Sequence, residues 1–243
     1  MSRLEDNLLK EFATKNNLNL SNLIKEKENG KPVDKIIGER GFYKHDFIVS
    51  EDVLTPRPDT ECLVEDAINF AFTSNAKSIL DLGLGSGCIL LSILADVKNL
   101  NGIGVDISEK ALNIAKQNAQ KLNLLDRTEF INASWFDLQV NKKFDIITSN
   151  PPYIKSDVIP TLDIGVKKYD PMLALDGGED GLRDYRQIAK IAKNLLNENG
   201  RIYLEIGYDQ NDDVIKIFSD YKLIKTIKDL SGINRCLVFK IDN

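Results

Sequence analysis

The chain has 243 residues, a formal net charge of -5 and a sequence pI near 5.1. Its 42% hydrophobic and 28% charged residues fit a folded soluble protein, and the length allows one large α/β domain with a small appendage, or two small domains. The acidic balance excludes a global attraction to nucleic acid or anionic membrane, though not a local basic face; Cys62, Cys88, Cys236 and the one histidine, His45, fit no structural zinc spacing and read as reduced cytoplasmic thiols with no metal.

Taken in order, the chain opens with two stretches of helical periodicity. Residues 4 to 16 carry Leu4, Leu8, Leu9 and Phe12; residues 18 to 29 carry Leu20, Leu23 and Ile24, with Asn29-Gly30 and then Pro32 as a stop. Met1 to Lys10 is too polar for a signal peptide, and no apolar run in the chain is long enough to span a bilayer. Two short helices bury little by themselves, so they are expected to dock as a cap on something larger. Between Gly38 and Val49, Phe42, Tyr43, Phe47 and Ile48 alternate loosely with polar residues, which predicts a β-hairpin. The segment Thr55-Pro56-Arg57-Pro58-Asp59-Thr60-Glu61 follows. Its prolines restrict the backbone at Arg57. Asp59 or Thr60 is placed to cap a helix whose apolar stripe is Leu63, Val64, Ala67, Ile68 and Ala71. Arg57 reads either as a ligand contact or as a structural clamp.

The main domain begins at Ser78. Ile79-Leu80-Asp81-Leu82 predicts a buried strand, Gly83-Leu84-Gly85-Ser86-Gly87 a turn, and Cys88 to Asp96 a helix. Glycines at the positive end of a helix let a ligand approach the backbone. The Gly-x-Gly-x-Gly spacing is not the dinucleotide fingerprint. A second strand, Ile103-Gly104-Val105, delivers Asp106 to its end, where an acid can accept hydrogen bonds from a ribose diol. The pair points to a nucleoside-bearing cofactor. Ser108 is placed to cap the helix Glu109 to Lys121. A third strand, Glu129-Phe130-Ile131, ends at Asn132-Ala133-Ser134-Trp135-Phe136, beside the place where the cofactor's base would lie. Trp135 reads either as a ring against that base or as core.

The fourth strand, Phe144 to Ser149, ends in Asn150-Pro151-Pro152-Tyr153. The two prolines supply no N–H and stop the strand. Asn150 is thereby held at the strand's mouth with one carbonyl and one NH2 to offer, and Tyr153 lines the same mouth. A plain turn is the alternative reading. The connection 154 to 180, with Pro160, Pro171 and Gly177-Gly178, is too long for an ordinary loop. It reads as a lid, a substrate loop or a surface insertion. A helix over Gly181 to Asn199, a strand over Arg201 to Ile206, a helix over 209 to 219 and two strands over 222 to 228 and 235 to 241 complete the chain. The last two predict an antiparallel hairpin at a sheet edge.

Asp81 to Gly87, Asp106 and Asn150 to Tyr153 together resemble a class I S-adenosylmethionine-dependent methyltransferase of the Asn-Pro-Pro-aromatic type. More narrowly, the chain resembles the bacterial protein-(glutamine-N5) methyltransferases of peptide-chain release factors. Gly38-Glu39-Arg40-Gly41-Phe42-Tyr43, the segment Thr55 to Glu61, Ala174 to Leu182, Tyr185-Arg186 and Leu204-Glu205-Ile206-Gly207 with Gln210 carry that narrower likeness. It implies an α/β fold: a Rossmann-like, mixed seven-stranded sheet with flanking helices. It also implies a truncated N-terminal helical region over 1–37, a β-hairpin linker over 38–55 and a methyltransferase domain over 56–243. In the family the fuller N-terminal domain helps to grip the release factor. The usual Thr after the first loop glycine is Leu84 here, and the usual acid before Trp135 is Ser134.

The resemblance implies a site as well. Asn150, Pro151 and Tyr153 are expected to be catalytic, with Pro152 and Arg57 beside them on the substrate. Asp81, Gly83, Gly85, Gly87, Asp106, Ser134, Trp135 and Asn150 are expected around S-adenosylmethionine. The implied reaction methylates the glutamine of a release factor's Gly-Gly-Gln tripeptide, in the cytoplasm, by a monomer with no membrane and no direct nucleic-acid substrate. Methylation of adenine N6 in DNA or RNA is a second enzymatic reading, and a cofactor-binding interaction module is a non-enzymatic one.

Overall fold

The computed structural model describes residues 3–242. Its first helices, α1 (Arg3–Asn16), α2 (Leu20–Glu28) and α3 (Val33–Ile37), close around a small core of Leu9, Ala13, Leu23 and Val33. Asn19 caps α2 by accepting from the Ser21 N–H at 2.9 Å. The five-residue α3 is too short to show periodicity and is absent from the sequence reading. The expected hairpin is present as β1 (Glu39–Phe42) and β2 (His45–Ile48), paired antiparallel. Asn118 anchors it: its amide accepts from the Ile48 N–H at 2.7 Å and donates to the Ile48 and Ser86 carbonyls at 3.0 and 2.9 Å.

The central sheet is built from β3 (Ser78–Leu82), β4 (Asn101–Asp106), β5 (Thr128–Asn132), β6 (Phe144–Ser149), β7 (Leu196–Glu205), β8 (Tyr221–Lys228) and β9 (Asn234–Ile241). Its order is β5-β4-β3-β6-β7-β9-β8, parallel except at β9, which runs antiparallel to both of its neighbours. This is the mixed seven-stranded sheet and the antiparallel edge expected from the sequence. Helices α4 (Glu61–Ser74), α5 (Cys88–Asp96), α6 (Glu109–Lys121), α7 (Ile164–Tyr169), α8 (Arg183–Leu195) and α9 (Asn211–Ile217) complete the chain. Successive strand residues serve opposite faces: Ile79 packs with Leu63, Leu90 and Leu112, whereas Leu80 packs with Tyr185, Ile188 and Ile202. Because both faces are covered, these strands read as continuous apolar runs rather than alternating ones.

Two expectations are corrected. The helix predicted over Gly181 to Asn199 stops at Leu195, and β7 begins at Leu196, which pairs with Phe144. Ladder pairing and full burial of Leu196 override the helical spacing there. Thr60 stands at the start of α4 but makes no side-chain cap, because its hydroxyl is engaged elsewhere, as described below. Ser108 does cap α6 as expected, accepting from the Ala111 N–H at 3.2 Å.

The neighbours β4 and β6 flank β3 on opposite sides, so the chain leaves the middle of the sheet in two directions. Such a reversal opens a crevice at the carboxyl ends of the strands. Among the described residues, no helix is long and apolar enough to cross a membrane, and no group of three or more His, Cys, Asp or Glu is placed to hold a metal.

Candidate active site

A cleft of roughly 850 Å³, counting its open mouth, lies at that crevice, within the range of cofactor sites. Its floor is made by the ends of β3, β4 and β6. After β3, the Gly83 and Leu84 N–H groups both donate to the Val105 carbonyl, at 2.9 and 3.0 Å, locking the glycine turn onto β4. Gly83 has φ +81, and a Cβ there would lie 3.3 Å from the Trp135 ring. Gly85 has φ +54 and faces open space. A side chain at either position would meet strain, and at Gly85 it would project into the cleft.

Asp106 closes the turn. Its Oδ2 accepts from the Gly85 N–H at 2.8 Å and its Oδ1 from the Ser108 N–H at 2.9 Å. Burial raises its pKa against these two bonds. Asp81 lies beneath the turn and is 1% exposed. Its Oδ1 accepts from Thr148 Oγ1 at 2.7 Å, but its Oδ2 meets no hydrogen-bond partner among the described residues. Burial pushes this carboxyl up to about 7. A buried acid with an unused oxygen fits a cationic ligand arriving above it.

Asn150 reaches the cleft from the end of β6. Ser149 fixes that end by donating to the Leu82 carbonyl at 2.7 Å. Behind Asn150 stands Glu205, at the end of β7 and 1% exposed. Glu205 Oε2 accepts from Thr60 Oγ1 at 2.5 Å, and Oε1 lies 3.4 Å from the Tyr153 hydroxyl. Burial drives the Glu205 pKa up to about 7; the Thr60 hydrogen bond, the charge of Arg235 and the nearby Asn150 amide oppose it. The Asn150 side chain can only donate to a carboxylate through its NH2 group.

The glycines of the long connection serve the same motif. A Cβ at Gly177 would lie 2.8 Å from the Pro152 carbonyl, and one at Gly181 would collide with the Tyr153 carbonyl. Gln210 ties the two segments by donating to the Tyr153 and Gly181 carbonyls at 3.0 and 3.1 Å. The connection therefore folds back on Asn150–Tyr153 instead of hanging free.

Of the residues expected here, Gly83, Gly85, Asp106, Trp135, Asn150, Pro152 and Arg57 line the cleft. Asp81 lies under its floor. Gly87 starts α5 and packs on Leu91 and Ala115. Ser134 closes a local turn, accepting from the Phe136 N–H at 3.1 Å. Pro151 is buried, and Tyr153 packs into the core on the α8 side with its hydroxyl toward Glu205. Trp135 Nε1 donates to Asp184 Oδ1 at 3.1 Å, so the ring is held as a wall. Arg57 finds a carboxylate in Asp170, at 2.8 Å, so of its two readings the clamp is realised while the residue also lines the cleft. Leu54, Thr60, Ile107, Leu173 and Ala174 also line the cleft. Sequence reasoning missed them because wall residues on loops carry no periodic signal.

Residues 73–238 match a family model described as a methyltransferase domain. The chain is 44% identical over 224 residues to the release factor glutamine methyltransferase of Agrobacterium fabrum, covering 90% of this chain and 77% of that one. It is 38% identical over 231 residues to that of Caulobacter vibrioides, covering 94% and 80%. Among solved structures, a ribosomal protein L11 methylase from Lactobacillus delbrueckii subsp. bulgaricus matches with a TM-score of 0.56 at 18% identity, over 80% of this chain and 84% of that one. The last likeness bears on the fold alone, while the two curated relatives settle kinship: the chain belongs to the release factor glutamine methyltransferase family.

Proposed function

We propose that the protein methylates the side-chain amide nitrogen of the glutamine in a release factor's Gly-Gly-Gln tripeptide, using S-adenosylmethionine. The observation that carries this reading is Asn150, which lines the cleft floor at the end of β6 with its amide beside buried Glu205. An acceptor oxygen so placed suits a target that presents N–H groups.

The residues of the cleft fit the cofactor. Asp81 has an unused buried oxygen for an ammonium group, Gly85 leaves open space at the turn, and Asp106 keeps lone pairs for ribose hydroxyls beyond the two N–H groups it already accepts. Leu84, Ile107 and Trp135 offer apolar walls. When bound, S-adenosylmethionine supplies an electrophilic methyl on a positively charged sulfur.

The chain's own task is then alignment and hydrogen bonding. An amide nitrogen is a poor nucleophile because its lone pair is delocalised into the carbonyl. In this mechanism Asn150 Oδ1 and the Pro151 carbonyl accept the two amide hydrogens. They point the nitrogen at the methyl and stabilise the positive charge that grows on it. Tyr153, packed into the core with its hydroxyl toward Glu205, braces the motif that carries both acceptors. One N–H proton leaves to solvent after transfer, so no histidine or cysteine base is required. The reaction belongs where release factors work, in the cytoplasm.

The test is methyl transfer from labelled S-adenosylmethionine to a purified bacterial release factor and to the same factor with its motif glutamine changed to alanine. Label is expected on the first and not on the second. Equal labelling of both would refute the assignment.

A further inference from the structure

Asp170 is the point where three segments meet. Its Oδ1 lies 3.0 Å from Lys35 Nζ, and its Oδ2 accepts from Arg57 Nη2 at 2.8 Å. Thr55 also donates to Oδ1 through its N–H, at 3.3 Å, and through its hydroxyl, at 3.5 Å. The Lys35 and Asp170 side chains are 0% and 3% exposed. Lys35 directs its remaining ammonium hydrogens at the carbonyls of Ser50, at 2.6 Å, and Val53. An ammonium has three hydrogens, and each finds an acceptor here. The acceptors are not scattered. Val53, Leu54 and Arg57 form one wall of the cleft, and Pro171, Leu173 and Ala174, immediately after Asp170, form another.

A second contact joins the same partners. Gly30, in the turn before α3, sits so close to α7 that a Cβ there would lie 2.6 Å from Ile164 Cγ2. A Cβ at Gly165 would lie 3.3 Å from the Gly30 carbonyl. The helical region at the start of the chain thus touches the 154–181 connection at both ends of α7. None of Gly30, Lys35 or Arg57 falls within the residues matched to the methyltransferase model, 73–238, so this clasp is an addition to the sheet scaffold.

We infer that Lys35 is a positioning residue of the active site: by holding Asp170 it fixes the Arg57 segment and the Pro171–Ala174 wall against each other across the cleft. The floor, made of Gly83, Gly85, Asp106 and Asn150, hangs on the sheet and does not depend on it. Lys35→Met leaves Asp170 to Arg57 and Thr55 alone and strips the Ser50 and Val53 carbonyls of their buried donor, so the tie between the helical region and the Pro171–Ala174 wall loosens. The catalytic consequence rests on the function proposed above; the structural consequence does not.

The experiment compares wild type, Lys35→Met and Lys35→Arg by amide hydrogen exchange and by steady-state methylation of a release factor. In Lys35→Met, amides of residues 162–176 are expected to exchange at least about tenfold faster while those of β3 and β4 stay unchanged. The KM for release factor and the Kd for S-adenosylhomocysteine should rise about tenfold, with kcat at saturation within about threefold of wild type. Lys35→Arg, which keeps the charge, should recover most of both losses. Unchanged exchange over 162–176 in Lys35→Met overturns the proposal. So does faster exchange through the whole sheet with kcat and binding falling together and no recovery in Lys35→Arg, the pattern of plain destabilisation. The exchange arm needs no substrate, so a wild-type protein that methylates no release factor would refute the function proposed above and leave this test standing.

Discussion

Thr60 Oγ1 donates to Glu205 Oε2 across 2.5 Å instead of capping α4. The hydroxyl gives up a helix-capping role, ordinarily worth about 1 kcal/mol, for a bond to a buried acid that lies beside Asn150. The two residues join the Thr55–Glu61 segment to the end of β7 directly behind the Asn-Pro-Pro-Tyr motif.

Asn150 is assigned to the target amide and not to the binding of the methyl donor. Asn150→Ala should lower kcat by about 10²–10³-fold, the usual effect of removing one oriented polar group from a reacting centre. Calorimetric affinity for S-adenosylhomocysteine should change by no more than about threefold. A variant that turns over normally removes Asn150 from the mechanism.

In the proposed mechanism Glu205 orients Asn150 as a carboxylate, because the protonated acid can donate to Asn150 Oδ1 and flip the amide. With its pKa raised to about 7, kcat should rise through about pH 7 and then level off. The neighbouring Cys62, Cys236, Tyr153 and Tyr185 are all pushed upward by burial and stay neutral over that range. Arg235, raised further from an already high value, remains charged across it. Measurement at saturating methyl donor keeps Asp81 ionised and out of the profile. In Glu205→Gln the limb near neutrality should vanish and kcat should fall about tenfold; a limb that persists assigns it to another group.

Asp81, proposed to meet the donor's ammonium, is buried at a cost to the protein without ligand. Its folded pKa of about 7 lies above the roughly 3.9 of an unfolded chain. Between those values the folded state binds more protons than the unfolded state, so stability falls as pH rises from about 4 to about 7 and is flat above. Glu205, raised to about 7 by burial, adds a slope of the same sign. Asp81→Asn should therefore be more stable than wild type in urea at pH 8, by about 2–4 kcal/mol, and should lose part of the pH slope. It should also bind S-adenosylhomocysteine at least about tenfold more weakly. A variant less stable than wild type at pH 8 contradicts the reading.

Asp106 is assigned to the ribose hydroxyls, and it also ties the glycine turn to the start of α6 through Gly85 and Ser108. Hydrogen bonds to a charged group contribute about 1.5–3 kcal/mol. Asp106→Ala should thus raise the Kd for S-adenosylhomocysteine by about 10- to 150-fold. Isothermal calorimetry reads this directly, and an unchanged Kd would reassign Asp106 to loop structure alone.

The sheet and its strand-end polar residues were legible in the sequence because parallel strands buried on both faces leave long apolar runs, and because Asp106 and Asn150 each stand at the end of such a run. Turn chemistry placed Gly83 and Gly85 at the cleft. Contacts made across the fold were not legible. Nothing in the spacing of Thr60 and Glu205, 145 positions apart in the chain, announces their bond. Lys35 looks like an ordinary surface lysine until Asp170, 135 residues later, closes over it. Nor did the spacing show that a side chain at Gly87 would meet Leu91 and Ala115 of the helices behind the turn.

The most direct test of the central claim is to map the methyl group itself. The protein is given labelled S-adenosylmethionine with a mixture of bacterial release factor and nucleic acid, and the products are digested and sequenced by fragmentation mass spectrometry. One added methyl on the side-chain nitrogen of the Gly-Gly-Gln glutamine is the predicted result. Label on adenine N6 with none on that glutamine would contradict it.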